Sequence, residues 1–139
     1  MTLLILSHPR RIAAYYLTFD PPSYRSCLAV LRLCVKRYGR MPSAITVDGG
    51  PEFASVYFEQ LLALYRVRKH QRPASEPRFG SPQERLFGSL QTEFLYHLLG
   101  NTQPTQRPRL MTKATDPRRQ AVWTLPALTK RVQQWADEE

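Results

Sequence analysis

The chain has 139 residues, 42% of them hydrophobic, and carries twenty Lys+Arg against eleven Asp+Glu, for a net charge of +9 and a pI near 10.1. That length suits a single domain burying roughly two-thirds of its unfolded surface. No stretch approaches the ~20 apolar residues of a membrane span, and the opening MTLLILSHPRR places its charges after its apolar run, which reads as a strand and not as an export signal.

TLLIL (2–6) and RIAAYYLTF (11–19) read as two strands joined by the turn SHPR. Asp20-Pro21-Pro22-Ser23 stops the second strand and opens a helix, with Ser23 as its cap. In that helix Leu28, Leu31, Cys34, Val35 and Tyr38 form the expected apolar stripe, and Gly39 ends it. SAITV (43–47) is a third strand. Ala54 to Tyr65 is a second helix, with Tyr57, Phe58, Leu61, Leu62 and Tyr65 inward, and VRKHQ (67–71) is a weakly apolar strand near an edge.

After the loop RPASEPRFGS, a third helix is expected from about Pro82 to Leu99, burying Leu86, Phe87, Leu90, Phe94 and Leu98. The segment GNTQPTQRPRLMTKATDPRR has no hydrophobic period and reads as an extended basic linker. A last helix runs from about Pro126 to Glu138. The domains expected are thus residues 1–100, a linker over 101–120 and a C-terminal helix over 121–139.

Cys27 and Cys34, seven apart in one helical pattern, are expected as buried core thiols. His8, His70 and His97 have no Cys at zinc-ligand spacing. The basic excess is mostly Arg, whose planar fork suits phosphate, so a polyanion is the expected partner, nucleic acid first.

Strand 43–47, helix 54–65 and strand 67–71 make a βαβ unit with parallel strands. Asp48 then falls at the carboxyl edge of the sheet, where open α/β sheets place ligands, and Glu84 falls in the first turn of the third helix, reached from that same edge. Arg72, Arg78 and Arg85 ring the two acids. Two carboxylates among arginines suit a Mg²⁺ site working on a phosphodiester.

Thirty-five residues separate Asp48 from Glu84, the spacing typical of DDE integrases and transposases, including the retroviral integrase catalytic core. VDGGPEF resembles the block around the second acid of that family, and RFGSPQERLFGSL the block around the third. YYLTFDPPSYRS and LLGNTQ…AVWTL are more similar to bacterial Mu-type transposases. The resemblance implies an α/β, RNase H-like mixed sheet flanked by helices, and DNA cleavage and strand transfer with Mg²⁺ or Mn²⁺. It implies Asp48 and Glu84 as catalytic metal ligands and Arg72, Arg78 and Arg85 as DNA contacts. DNA, a homo-oligomer or other transposase subunits are the implied partners, in the cytoplasm and on the nucleoid when DNA is bound.

The chain departs from the family at several points. Gly49 stands where Asn is frequent, and Pro82-Gln83 where two aliphatics precede the Glu. Leu6 is not the usual metal position, and Asp20 opens a helix, so neither replaces the first acid. The expectation is therefore a chain starting after the first, central strand and stopping before a further barrel-like domain. Strands 2–6 and 43–47 would then face a gap with unpaired backbone groups, each costing on the order of 1–3 kcal/mol where buried. The leading expectation is an integrase fragment inactive alone. A non-catalytic DNA-binding remnant is the alternative, and a nuclease using Glu52 or Glu76 beside Asp48 ranks last.

Overall fold

The computed structural model describes residues 1–7, 11–73, 81–101 and 116–138. They fold as a mixed α/β chain with four α-helices and two separate two-stranded sheets, in two compact units, Met1–Gly80 and Ser81–Glu138.

The first unit opens with an antiparallel pair, β1 (Thr2–Ile5) and β2 (Ile12–Tyr16). Leu4 faces Ala14 and Ile5 faces Ile12, so Ala13 is the extra residue of a bulge in β2. Strand β2 stops short of the expected residue 19. The Thr18 hydroxyl donates to Asp20 Oδ2 and accepts the Asp20 N–H, both at 3.0 Å, and this local turn replaces ladder bonds. Of the turn SHPR, residues 8–10 lie outside the described residues.

Helix α1 (Tyr24–Tyr38) starts where expected, with Ser23 extended at its N-cap, but the Ser23 side chain makes no capping bond. Gly39 closes the helix at φ +71°, its N–H donating to the Val35 carbonyl at 2.7 Å. The buried face is Ser26, Cys27, Val30, Leu31 and Cys34, about one residue round from the expected stripe, and Tyr38 is exposed. The helix serves two clusters at once, which sets this rotation. Val30 and Cys34 lie against Ala13 and Ala14 of β2, whose small side chains admit them closely. Cys27 and Leu31 join Ile45, Val47, Phe58, Leu62 and Val67. Both cysteines are free and buried, as the sequence led us to expect.

Strand β3 (Ala44–Val47) and strand β4 (Arg68–Gln71) pair in parallel, with Ala44 opposite Arg68 and Val47 opposite Gln71, so the βαβ expectation holds. Between them a 3₁₀ turn over Pro51–Ala54 precedes helix α2 (Val56–Leu64), which therefore begins later than expected. Only Phe58 and Leu62 of α2 are buried, with Leu61 packed against the same cluster. Tyr57 and Tyr65 are exposed, contrary to expectation. Tyr57 instead stacks on Tyr24 of α1, ring centroids 5.3 Å apart, and Tyr65 lies beyond the last helical residue.

In the second unit the expected helix over residues 82–99 is broken. Helix α3 spans Ser81–Ser89, a π turn takes Leu90–Phe94 and a 3₁₀ turn takes Leu95–His97. The Thr92 hydroxyl donates back to the Gly88 carbonyl at 2.8 Å, a bond that competes with regular helix at this junction. Leu90 and Phe94 are buried as expected, Leu86 and Leu98 are half-buried, and Phe87 is 42% exposed. Helix α4 (Leu125–Glu138) buries Val132, Trp135 and Ala136, with the Trp135 ring 6.2 Å from that of Phe94. Most of the expected linker, residues 102–115, lies outside the described residues. No helix among the described residues is long and apolar enough to cross a membrane.

Candidate functional site

Asp48 follows directly on β3, where the alternation of that strand stops. Ile45 and Val47 are buried and Thr46 is exposed, and the chain then leaves the core through Asp48, Gly49 and Gly50. Asp48 is exposed. Its Oδ1 accepts the Gly50 N–H at 3.1 Å, an Asx turn that fixes the carboxylate at the carboxyl end of the parallel pair. No partner for Oδ2 occurs among the described residues.

The neighbouring strand ends at the same edge. The Arg72 N–H donates to the Val47 carbonyl at 2.8 Å, so Arg72, half-buried, leaves β4 one peptide away from Asp48. A Cβ on Gly49 would lie 3.7 Å from Gln71 Nε2, which puts Gln71 beside the same turn. The edge thus presents Asp48, Gln71 and Arg72 together.

Glu52 completes this turn, although it lies off the strand end and was expected to matter least there. Its carboxylate folds over Gly50, with oxygens 2.7 and 2.8 Å from where a Gly50 Cβ would stand. Glu52 and Asp48 both act on the Cys27 thiol, raising its pKa after the larger effect of burial. The signal available in sequence was the short spacing from Asp48 to Glu52 across Gly50, which has no side chain in the place that the Glu52 carboxylate occupies.

The turn is braced from behind by Lys69. Its Nζ donates to the Phe53 carbonyl at 2.9 Å and pairs with Glu59, tying β4 to the 3₁₀ turn and to α2.

Glu84 and Arg85 stand in the first half of α3 in the second unit, and both are exposed. Asp48 and Arg72 belong to the first unit, Glu84 and Arg85 to the second. Arg78 and Glu76 lie outside the described residues. Among the described residues there is no group of three or more His, Cys, Asp or Glu side chains arranged to hold a metal ion. Asp48 has one carboxylate oxygen without a partner among the described residues, and Glu84 is exposed in its own unit.

No family model matches the sequence, and no curated protein matches it. Among solved structures, 82% of the chain superposes on a chain of the cryo-EM structure of the simian T-cell lymphotropic virus intasome in complex with PP2A regulatory subunit B56 gamma, with a TM-score of 0.53 and 18% sequence identity. This chain spans 43% of the length of that one. The likeness is one of fold.

Proposed function

We propose that this chain is part of an RNase H-like catalytic core of the DDE integrase and transposase class, acting on DNA. The observation that carries the reading is the position of Asp48: an exposed carboxylate, fixed by the Gly50 N–H, at the carboxyl end of a parallel β pair. The likeness of fold to a chain of a viral intasome supports it. So does the thirty-five-residue interval to the Glu84 block, and so does the net charge of +9.

In this reading Asp48 and Glu84 supply carboxylate oxygens to Mg²⁺ or Mn²⁺, an assignment that rests on the two sequence blocks. The cation, when bound, would polarise a phosphodiester and lower the pKa of water. The chain's own part is to hold the Asp48 carboxylate by its turn and to offer Arg72, Arg78 and Arg85 to phosphates.

The reading is tested by fluorescence anisotropy with a labelled DNA duplex across a salt series, alongside a nicking assay with Mn²⁺. Binding that weakens linearly in log–log form with salt is expected, as counterion release requires. Affinity indifferent to salt would overturn the reading. Binding without nicking would favour the second reading, a non-catalytic DNA binder, which the net charge of +9 supports without requiring any chemistry.

A further inference from the structure

Helix α1 carries four cations and no acid, and it sorts them by face. At 3.6 residues per turn, Arg25, Arg32 and Lys36 fall within one narrow stripe, and all three are exposed. They make a line of positive charge about 16 Å long. Between this stripe and the buried face of the helix runs the row Tyr24, Leu28 and Val35, each half-buried. That row looks towards α2. Leu28 packs against the cluster that holds Phe58 and Leu62, and Tyr24 stacks on Tyr57. The basic stripe therefore borders the side of α1 on which α2 lies.

The two tyrosines form a stack with one open end. Their ring centroids are 5.3 Å apart and their planes 24° from parallel. One face of Tyr57 is thus covered, yet the residue is 62% exposed, so its second face is open to solvent. The guanidinium carbon of Arg25 lies 6.0 Å from the centre of the Tyr24 ring, which places a cation beside the stack. Glu59, two residues beyond Tyr57, projects to another side of α2, where it pairs with Lys69. A lone surface tyrosine needs no explanation. Here a second ring already orders the first, and exposed cations stand in line next to both.

We propose that α1 and the head of α2 form a track for a single strand of DNA. Its phosphates would run along Arg25, Arg32 and Lys36, and one base would stack on the open face of Tyr57. A duplex keeps the faces of its bases inside its own stack, so only an unpaired base can cap the tyrosine pair. Because Tyr24 holds Tyr57 before any ligand arrives, little side-chain freedom is lost on binding. That the strand is DNA rests on the function proposed above; the stacking and the line of charge do not.

The test uses the full chain and a fluorescein-labelled strand of about twelve thymidines. A strand of the same length with sugars and phosphates but no bases is the comparison. The thymidine strand is expected to bind about tenfold or more tightly. Tyr57→Ala is expected to abolish that preference and Tyr57→Phe to keep it. If Tyr57→Ala unfolds, the baseless strand still decides. Replacing Arg32 and Lys36 together by Ala is expected to lower the slope of log affinity against log salt by about 0.7 per cation and to spare the preference. A strand carrying 5-iodouracil is expected to crosslink to Tyr57 on irradiation. Equal affinity for the two strands, a crosslink confined to other elements, or equal competition by polyglutamate would overturn the proposal. Tighter binding of a uridine RNA strand would overturn DNA as the occupant. Salt-dependent duplex binding without the thymidine preference would sink this inference alone, whereas a duplex indifferent to salt would sink the function proposed above.

Discussion

The Oδ1 of Asp48 accepts the backbone N–H of Gly50 at 3.1 Å, so one oxygen of the carboxylate holds its own turn while the other has no partner among the described residues. A side chain that orders the loop presenting it has two separable jobs, and substitution can divide them.

Asn at position 48 retains an oxygen for the Gly50 N–H and loses only the charge. Asp48→Asn is expected to unfold in urea within about 0.5 kcal/mol of the parent, and Asp48→Ala about 1 kcal/mol earlier, because the bond is exposed. Both are expected to lose Mn²⁺-dependent effects equally. An Asn variant as destabilised as the Ala variant would show that the charge, and not the turn, maintains the fold here.

Gly39 and Gly100 both have positive φ, +71° and +77°, but a methyl group would meet different surroundings. At Gly39 nothing lies within 4 Å, so Gly39→Ala is expected to cost only the left-handed backbone penalty, about 1 kcal/mol. At Gly100 the new Cβ would stand 2.6 Å from the Gln120 carbonyl oxygen, and backbone cannot swing aside as a side chain can. Gly100→Ala is expected to be the more damaging, visible in a lower thermal midpoint for the second unit.

Helix α2 separates neighbours sharply. Leu62→Ala is expected to cost about 2–5 kcal/mol in denaturant unfolding, since Leu62 is 1% exposed within the first unit's core. Tyr65→Ala, three residues on and 56% exposed, is expected to change stability by about 0.5 kcal/mol or less. Comparable losses at both positions would mean that the outward face of α2 is covered in solution.

Burial pushes the Cys27 thiol up from 9.0 to about 11, with Glu52 and Asp48 adding to the shift, and burial raises Cys34 as well. Above pH ~9 the unfolded chain sheds thiol protons that the folded chain keeps, so this contribution is full below that pH and is lost as pH rises towards 11. The fall in stability over that window is expected to be shallower in Cys27→Ala. Neither thiol is expected to react with an aromatic disulfide at pH 8 until denaturant is added.

The sequence foretold elements better than faces. Gly39 ended α1 and the β3–α2–β4 crossover appeared because both depend on local chemistry: a left-handed cap, and β-branched runs either side of a helix. The faces of α1 and α2 were misjudged because a helical period gives the width of a stripe and not the direction of its neighbours. Ala13 and Ala14 draw Val30 and Cys34 in, and Tyr24 takes Tyr57 away from the core. The break after Ser89 was hidden because Leu90 and Phe94 keep a helical interval through the π turn. At the candidate site, Asp48 was legible from the end of a strand pattern, while Glu52 needed the path of a double-glycine turn to bring it alongside.

Strand β4, RKHQ, is an edge of its two-stranded sheet and turns Arg68 to solvent. Cationic side chains on such a border deter a stranger from extending the ladder, the device by which soluble proteins suppress fibre growth. Residues 2–5, TLLI, carry no such gatekeeper. Strands β2 and β3, IAAYY and AITV, carry none either, so of the four described strands of the first unit β4 alone has this protection.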